Sequence, residues 1–130
     1  MIHDKDFLIR LIQQFSAMLA KLLLGKNEGS PEEVELVIQT QLKDIFKTTF
    51  PEFAKLSTEE IVAKVDTFDP RHQGDLYEML GHLFYFKNKE EPSENLAKKC
   101  IYFYEMWIAK SQIFSLPVNG RIAELKNGLK

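Results

Sequence analysis

The sequence predicts an all-α protein, a compact bundle of five or six helices in a single domain over residues 1–130. Apolar residues recur at spacings of three and four along most of the chain, which is the period of an amphipathic helix. Helix-start signals, in which Ser or Asp precedes Pro or Glu, stand between these stretches. No stretch shows the alternation and flanking turns typical of a β-hairpin. With 45% hydrophobic and 28% charged residues, the composition suits an ordinary globular core.

The first predicted helix runs from about Asp4 to Leu24. Acidic residues near its start suit the positive end of the helix dipole, and Gly25 is a suitable residue to follow the last turn. Apolar residues cover so much of this helix that one neighbour could not bury them all. We therefore expect the helix to be central in the bundle or to form a subunit interface, with Leu19 and Leu23 as candidate partner-binding residues.

The second and third predicted helices each begin with a capping box, which pairs a Ser N-cap with a Glu three residues later. The second helix follows Ser30, and Pro51 is expected to interrupt it near Phe50. The third helix follows Ser57 and is expected to end near Asp66.

The C-terminal half of the chain holds two helices that are rich in aromatic residues. Asp69-Pro70 predicts the start of the fourth helix, which runs to about Lys87. The fifth helix is expected to fill Glu94–Phe114, and Pro117 is expected to stop it. A last short helix is predicted over Arg121–Asn127.

Gly81 lies in the middle of the fourth helix, where glycine costs about 1 kcal/mol relative to alanine. The flanking residues Leu80 and Leu83 favour a continuous helix. We therefore expect a partner helix to pack closely against the bare backbone at Gly81.

The fourth and fifth helices carry a pattern of aromatic, large and small residues at fixed spacing. The residues are Tyr77, Leu80, Gly81 and Phe84 in the fourth helix and Ala97 and Ile101 in the fifth. In this spacing the pair resembles one tetratricopeptide repeat. Tyr104 departs from the pattern, because it is large where that family has a small residue. The resemblance covers roughly a third of the chain and does not recur in the second and third helices, so it implies tetratricopeptide-like hairpin packing without a tandem array.

The first helix contains three short segments, Asp6-Phe7, Arg10-Leu11-Ile12 and Leu23-Leu24-Gly25-Lys26. Through them the chain as a whole resembles a family of small bacterial all-helical proteins of unknown function. That resemblance implies no activity.

Asp75, Glu78 and His82 form the sharpest polar grouping, because spacings of three and four place them on one helical face. Two carboxylates and an imidazole could hold a metal or act as acid and base. The alternative is that the three residues form the solvated stripe of the helix. A catalytic zinc site on one helix normally shows two His residues four apart, and this helix has one.

Aromatic residues face every direction on the fourth and fifth helices, so one neighbouring helix cannot bury them all. Such a surplus indicates a central position in the bundle or an exposed groove for a partner. The candidate partner-binding residues on these helices are Tyr85, Phe86, Tyr102 and Trp107.

We therefore expect a non-enzymatic protein-interaction or scaffold module that binds a protein partner or itself, as a homodimer or a larger assembly. The alternative is a small-ligand binder or enzyme with a pocket between the fourth and fifth helices, using Glu78, His82 or Tyr85. The sequence contains no Gly-rich phosphate loop, nucleophile elbow or Cys-x-x-Cys pair. We accordingly predict no catalytic residue, cofactor or metal.

Charge and composition argue against several other classes of protein. A net charge of −2 without a basic tract gives no general attraction to nucleic acid or to an anionic membrane. Arg10 and Lys21 interrupt the apolar run at residues 7–24, which is therefore too polar to span a membrane. The one cysteine, Cys100, excludes an internal disulfide and is expected to be buried in a cytoplasmic protein.

Overall fold

A computed structural model describes residues 2–26 and 29–129 of the chain, with side chains from residue 7 onward. Within those residues it is all-α and contains no strand, as the sequence predicts. The side chains of Asp4 and Asp6, expected to act on the helix dipole, lie outside the described part. The described residues form seven helices: α1 (Ile2–Leu23), α2 (Pro31–Phe46), α3 (Phe50–Lys55), α4 (Thr58–Asp66), α5 (Pro70–Glu90), α6 (Glu94–Ser111) and α7 (Leu116–Gly128).

Both predicted capping boxes are confirmed. The Ser30 hydroxyl accepts a hydrogen bond from the Glu33 N–H, and the Glu33 carboxylate accepts one from the Ser30 N–H. Ser57 and Glu60 make the same reciprocal pair at the start of α4. Each pair satisfies two backbone donors that a helix start would otherwise leave without a partner.

Pro51 begins a helix, so the expectation that it interrupts a longer one is wrong. The second helix already ends at Phe46, because Lys47 adopts a left-handed conformation with φ 59°. Thr49 then caps α3, its side chain accepting a hydrogen bond from the Glu52 N–H. Pro51 lies in the first turn of α3, where backbone N–H groups have no partner within the helix. The missing N–H of proline therefore costs no hydrogen bond there. This accounts for one helix beyond the predicted number.

The end of the fifth predicted helix and the start of the last one also differ from the expectation. α6 ends at Ser111, because Gln112 is left-handed with φ 60°. Ser115 caps α7, and Pro117 lies in its first turn, so Pro117 starts a helix where it was expected to stop one. The last helix is consequently longer than predicted and begins at Leu116.

The most extensive contact between helices joins α5 and α6, which form an antiparallel hairpin. The N-terminal part of α5 lies beside the end of α6, where Gly74 faces Lys110. Further along, the Cys100 thiol donates to the Gly81 carbonyl oxygen at 3.3 Å, and Cys100 is buried as predicted. That this hairpin is a tetratricopeptide-like unit stays a prediction.

The first helix is central in the fold. α1 lies along α5 and also contacts α2, while α7 packs on α6 and α4 packs on α5. From α1, Leu11, Ile12, Phe15 and Leu19 enter the hydrophobic core. The wide apolar surface of α1 thus packs within the chain, against α5 and α2. Leu19 has no exposed surface.

Candidate functional site

A side chain of α6 packs directly against the bare backbone at Gly81, as the sequence predicts. A Cβ atom added at Gly81 would stand 2.6 Å from Cε1 and 2.9 Å from Cγ of Tyr104, closer than carbon atoms can pack. The Tyr104 ring is fully buried against the bare backbone of α5. Glycine therefore makes room for a tyrosine at the position where a tetratricopeptide repeat would carry a small residue.

The Tyr104 hydroxyl belongs to a series of polar groups that are buried or partly buried. Arg121 on α7 donates from Nη1 to the Tyr104 oxygen at 3.1 Å. The Tyr104 oxygen lies 2.8 Å from His82 Nδ1, and His82 Nε2 lies 3.7 Å from Glu78 Oε2. The series of polar residues Arg121, Tyr104, His82 and Glu78 thus connects α7, α6 and α5.

Hydrogen-bond chemistry fixes the direction of one of these contacts. A guanidinium can only donate, so the Tyr104 oxygen accepts from Arg121. Burial raises the pKa of Tyr104 well above its ordinary value, so this hydroxyl keeps its proton. The donor in the contact between Tyr104 and His82 Nδ1 depends on the His82 tautomer.

The three polar residues Asp75, Glu78 and His82 do lie together, as their spacing predicts. They line a cleft of about 290 Å³ between α1 and α5, here called the α1–α5 cleft. The other lining residues are Gln13, Ser16, Ala17 and Ala20. Across the described ranges, no three or more His, Cys, Asp or Glu side chains are grouped so that they could hold a metal ion.

Two pockets lie between the fourth and fifth predicted helices. One is a groove of about 500 Å³ with Glu78 on its wall, and the other, of about 540 Å³, is lined by Tyr85 and closed on one side by α7. His82 lines neither of them. His82 opens toward α1, and Tyr85 lies near α7, where its hydroxyl donates to Glu124 and the Arg121 guanidinium lies 5.2 Å from its ring centre. Burial and the Glu124 hydrogen bond raise the pKa of Tyr85 to about 12.

Ser16 is a member of the α1–α5 cleft that the sequence analysis missed. It is only 7% exposed, and its hydroxyl has no hydrogen-bond partner among the described residues. Its spacing indicates burial, because Ser16 lies four residues after Ile12 and three before Leu19, on the buried face of α1. The spacing cannot show that Ser16 lies opposite His82.

The six predicted partner-binding residues differ in how far they are buried. Leu19, Tyr85 and Trp107 are buried. α7 covers part of the aromatic surplus, and a cleft of about 540 Å³ lined by Tyr85, Ala97 and Glu124 remains between α5, α6 and α7. Leu23 and Phe86 are half-buried against the core, and Tyr102 alone among the six candidates is exposed.

A different apolar surface is exposed at the connection between α6 and α7. Ile113 is 51%, Phe114 75% and Leu116 74% exposed, and these three residues with Ser115 are called the 113–116 segment. Hydrogen bonds fix its two ends. The Ile113 N–H donates to the Ser111 hydroxyl at 3.3 Å, and the Ser115 carbonyl accepts from the Asn119 side chain at 2.8 Å. The backbone of the segment is therefore held in place at both ends.

The groove between α5 and α6, here called the α5–α6 groove, adjoins this segment, and Ile113 belongs to both. Its lining carries both signs of charge. The lining residues are Pro70, Arg71, Gly74, Asp75, Glu78, Trp107, Lys110, Ser111 and Ile113. One end of the molecule thus carries a projecting apolar segment and an open groove side by side.

Comparison with protein-family models, curated proteins and solved structures finds no match to the chain. None of the helices in the described residues combines the length and apolar character needed to cross a membrane. What the chain does must therefore be inferred from its own surfaces.

Proposed function

We propose that the chain is a non-enzymatic protein-interaction module that self-associates through the 113–116 segment. The observation that carries this proposal is the exposure of three large apolar side chains within four consecutive positions, Ile113, Phe114 and Leu116. Contiguous exposed apolar surface is typical of interaction sites, whereas scattered single residues are not. Fully burying one such side chain contributes about 1.5–3 kcal/mol, so a partner that covers the segment gains a large part of its affinity there.

A second copy of the chain is the partner that this surface fits best. A two-fold interface uses the same patch on both subunits, and such a patch must be complementary to itself. Here the projecting segment and the α5–α6 groove adjoin, so each copy can place Phe114 in the groove of the other. The groove offers Arg71 and Lys110 together with Asp75 and Glu78, which suits a partner of mixed charge and disfavours a strongly acidic or basic one.

The chemistry of the buried groups supports a non-enzymatic role. Burial raises the pKa of the Cys100 thiol far above its usual range, so the thiolate needed for nucleophilic attack is not formed near neutral pH. This side chain is therefore not poised as a nucleophile.

Sedimentation velocity of the wild-type chain and of a Phe114→Asp variant tests the proposal. We expect the wild type to form a dimer at high micromolar concentration, because the apolar segment is withdrawn from water. Phe114→Asp should sediment as a 15.1 kDa monomer with an unchanged circular dichroism spectrum, because the side chain is exposed and takes no part in the core.

Leu36→Asp provides the matched control, because Leu36 on α2 is 64% exposed and far from the 113–116 segment in sequence. This variant should keep the wild-type mass. A wild-type chain that stays monomeric at every concentration, or a Phe114→Asp variant that still forms dimers, would refute self-association through this segment.

A further inference from the structure

The chain turns back on itself between α6 and α7 through a strained residue. Gln112 has φ 60°, in the left-handed region, and its N–H donates to the Ile108 carbonyl oxygen at 2.8 Å. A Cβ atom crowds the backbone in this conformation, so glutamine is less stable there than glycine. The reversal of the chain therefore has a conformational cost that a straight connection would avoid.

The amino-acid pattern itself favours a straight connection. The apolar spacing predicts one helix over Glu94–Phe114, and neither glycine nor proline occurs in it before Pro117. If Gln112 adopted the helical conformation, α6 would continue over Ile113 and Phe114, and α7 would point away from its own hairpin. One change of backbone conformation at Gln112 would thus open the connection.

The face of the hairpin that α7 covers is specific for this helix. Three apolar side chains of α7 are buried, namely Val118, Ile122 and Leu125. Arg121 donates to the Tyr104 oxygen at 3.1 Å. Lys126 Nζ donates to Glu105 Oε2 at 2.9 Å. The α7 helix of a second copy can make all of these contacts unchanged, because exchange of an identical element recreates the same interface.

We propose that two copies of the chain exchange α7, so that each α7 packs on the hairpin of the other copy. This inference rests on the proposed self-association and names the contact that holds the two copies together. In the exchanged dimer the two 113–116 segments run between the copies, where Ile113, Phe114 and Leu116 are withdrawn from water. Burial of this segment and relief of the left-handed conformation at Gln112 both favour the exchanged dimer over the closed monomer.

Cross-linking with a carbodiimide tests the exchange, because this reagent joins a carboxylate to an amine that already contacts it. Chains labelled with ¹⁵N and unlabelled chains are mixed in denaturant and refolded together, and the dimer is isolated. About half of the Lys126–Glu105 cross-links should join a labelled to an unlabelled peptide, because random pairing makes half of the dimers mixed. The control is the ion pair of Lys87 with Glu35, 2.6 Å apart, which joins α5 to α2. Its cross-links should join peptides of one label only.

Substitutions at two left-handed residues test the role of the strain. Gln112→Gly relieves the strain in the closed monomer and weakens an extended α6, so it should raise the dimer dissociation constant by about tenfold or more. Lys47→Gly is the matched control, because Lys47 is left-handed with φ 59° at the end of α2. It should leave the dissociation constant unchanged. A Gln112→Gly chain that dimerises as tightly as the wild type would contradict opening at this residue.

The cross-links separate failure of the exchange from failure of self-association. A dimer whose Lys126–Glu105 cross-links all join peptides of one label would overturn the exchange of α7 and leave self-association through the 113–116 segment standing. A wild-type chain that forms no dimer would overturn both proposals. Mixed labels in the Lys87–Glu35 cross-link as well would show that more of the chain than α7 is exchanged, which also contradicts the proposal.

Discussion

Replacing Leu19 with Asp should prevent the chain from folding. Leu19 on α1 is fully buried in the hydrophobic core. Removing a buried leucine side chain alone costs about 2–5 kcal/mol, and the carboxylate adds the cost of burying a charge without a partner. Since domains of this size are stable by only about 5–15 kcal/mol, most of the folding free energy is lost. Circular dichroism and thermal unfolding measure the outcome.

Leu24→Asp is the control for this substitution, because Leu24 follows the same helix and is 60% exposed. Its free energy of unfolding should change by no more than about 0.5 kcal/mol, as for most surface substitutions. A Leu19→Asp protein that is soluble, folded and monomeric would show instead that Leu19 lies at an interface between copies of the chain.

Replacing Gly81 with Ala should lower the free energy of unfolding by about 1–3 kcal/mol. Helix propensity favours alanine by about 1 kcal/mol, so the sign depends on what the added methyl group meets. It meets the Tyr104 ring, with Cε1 at 2.6 Å from the added Cβ. The ring cannot move away freely, because its hydroxyl is hydrogen bonded to His82 and Arg121 and the side chain is fully buried. Chemical denaturation gives the difference.

Gly120→Ala provides the opposite case within the same chain. Gly120 lies inside α7, and an added Cβ would meet no atom within 4 Å. Alanine should therefore stabilise the protein there by up to about 1 kcal/mol through helix propensity alone. If Gly81→Ala were stabilising to the same extent, the close packing of Tyr104 on α5 would not hold, and the tetratricopeptide-like interpretation of the hairpin would lose its support.

The helix starts could be predicted from sequence because their signals are local. Ser30 and Ser57 act within three residues of themselves, and Gly81 is conspicuous because a mid-helix glycine is unfavourable. The helix ends at Lys47 and Gln112 could not be predicted in this way, since neither is the glycine that usually takes a left-handed conformation. When those ends are not recognised, the sequence pattern predicts Pro51 and Pro117 as helix breakers, although each lies in the first turn of a new helix.

Sequence spacing can predict only those residues of the candidate site that lie on one helix, α5. The spacing of Asp75, Glu78 and His82 places them on one face of α5, and they do lie together. Ser16 comes from α1 and Arg121 from α7, and nothing local connects either of them to His82. The exposed 113–116 segment could not be predicted either, because the sequence does not show that α6 ends before it, at Ser111.

An isotope-filtered NOE spectrum of a mixture of labelled and unlabelled chains tests self-association through the 113–116 segment most directly. Only contacts between different copies give signals in this experiment. The proposed interface predicts NOEs that join Phe114 ring protons of one copy to Trp107 or Lys110 of the other. A spectrum with no intermolecular NOE, or with NOEs confined to Leu36 and its neighbours on α2, would contradict it.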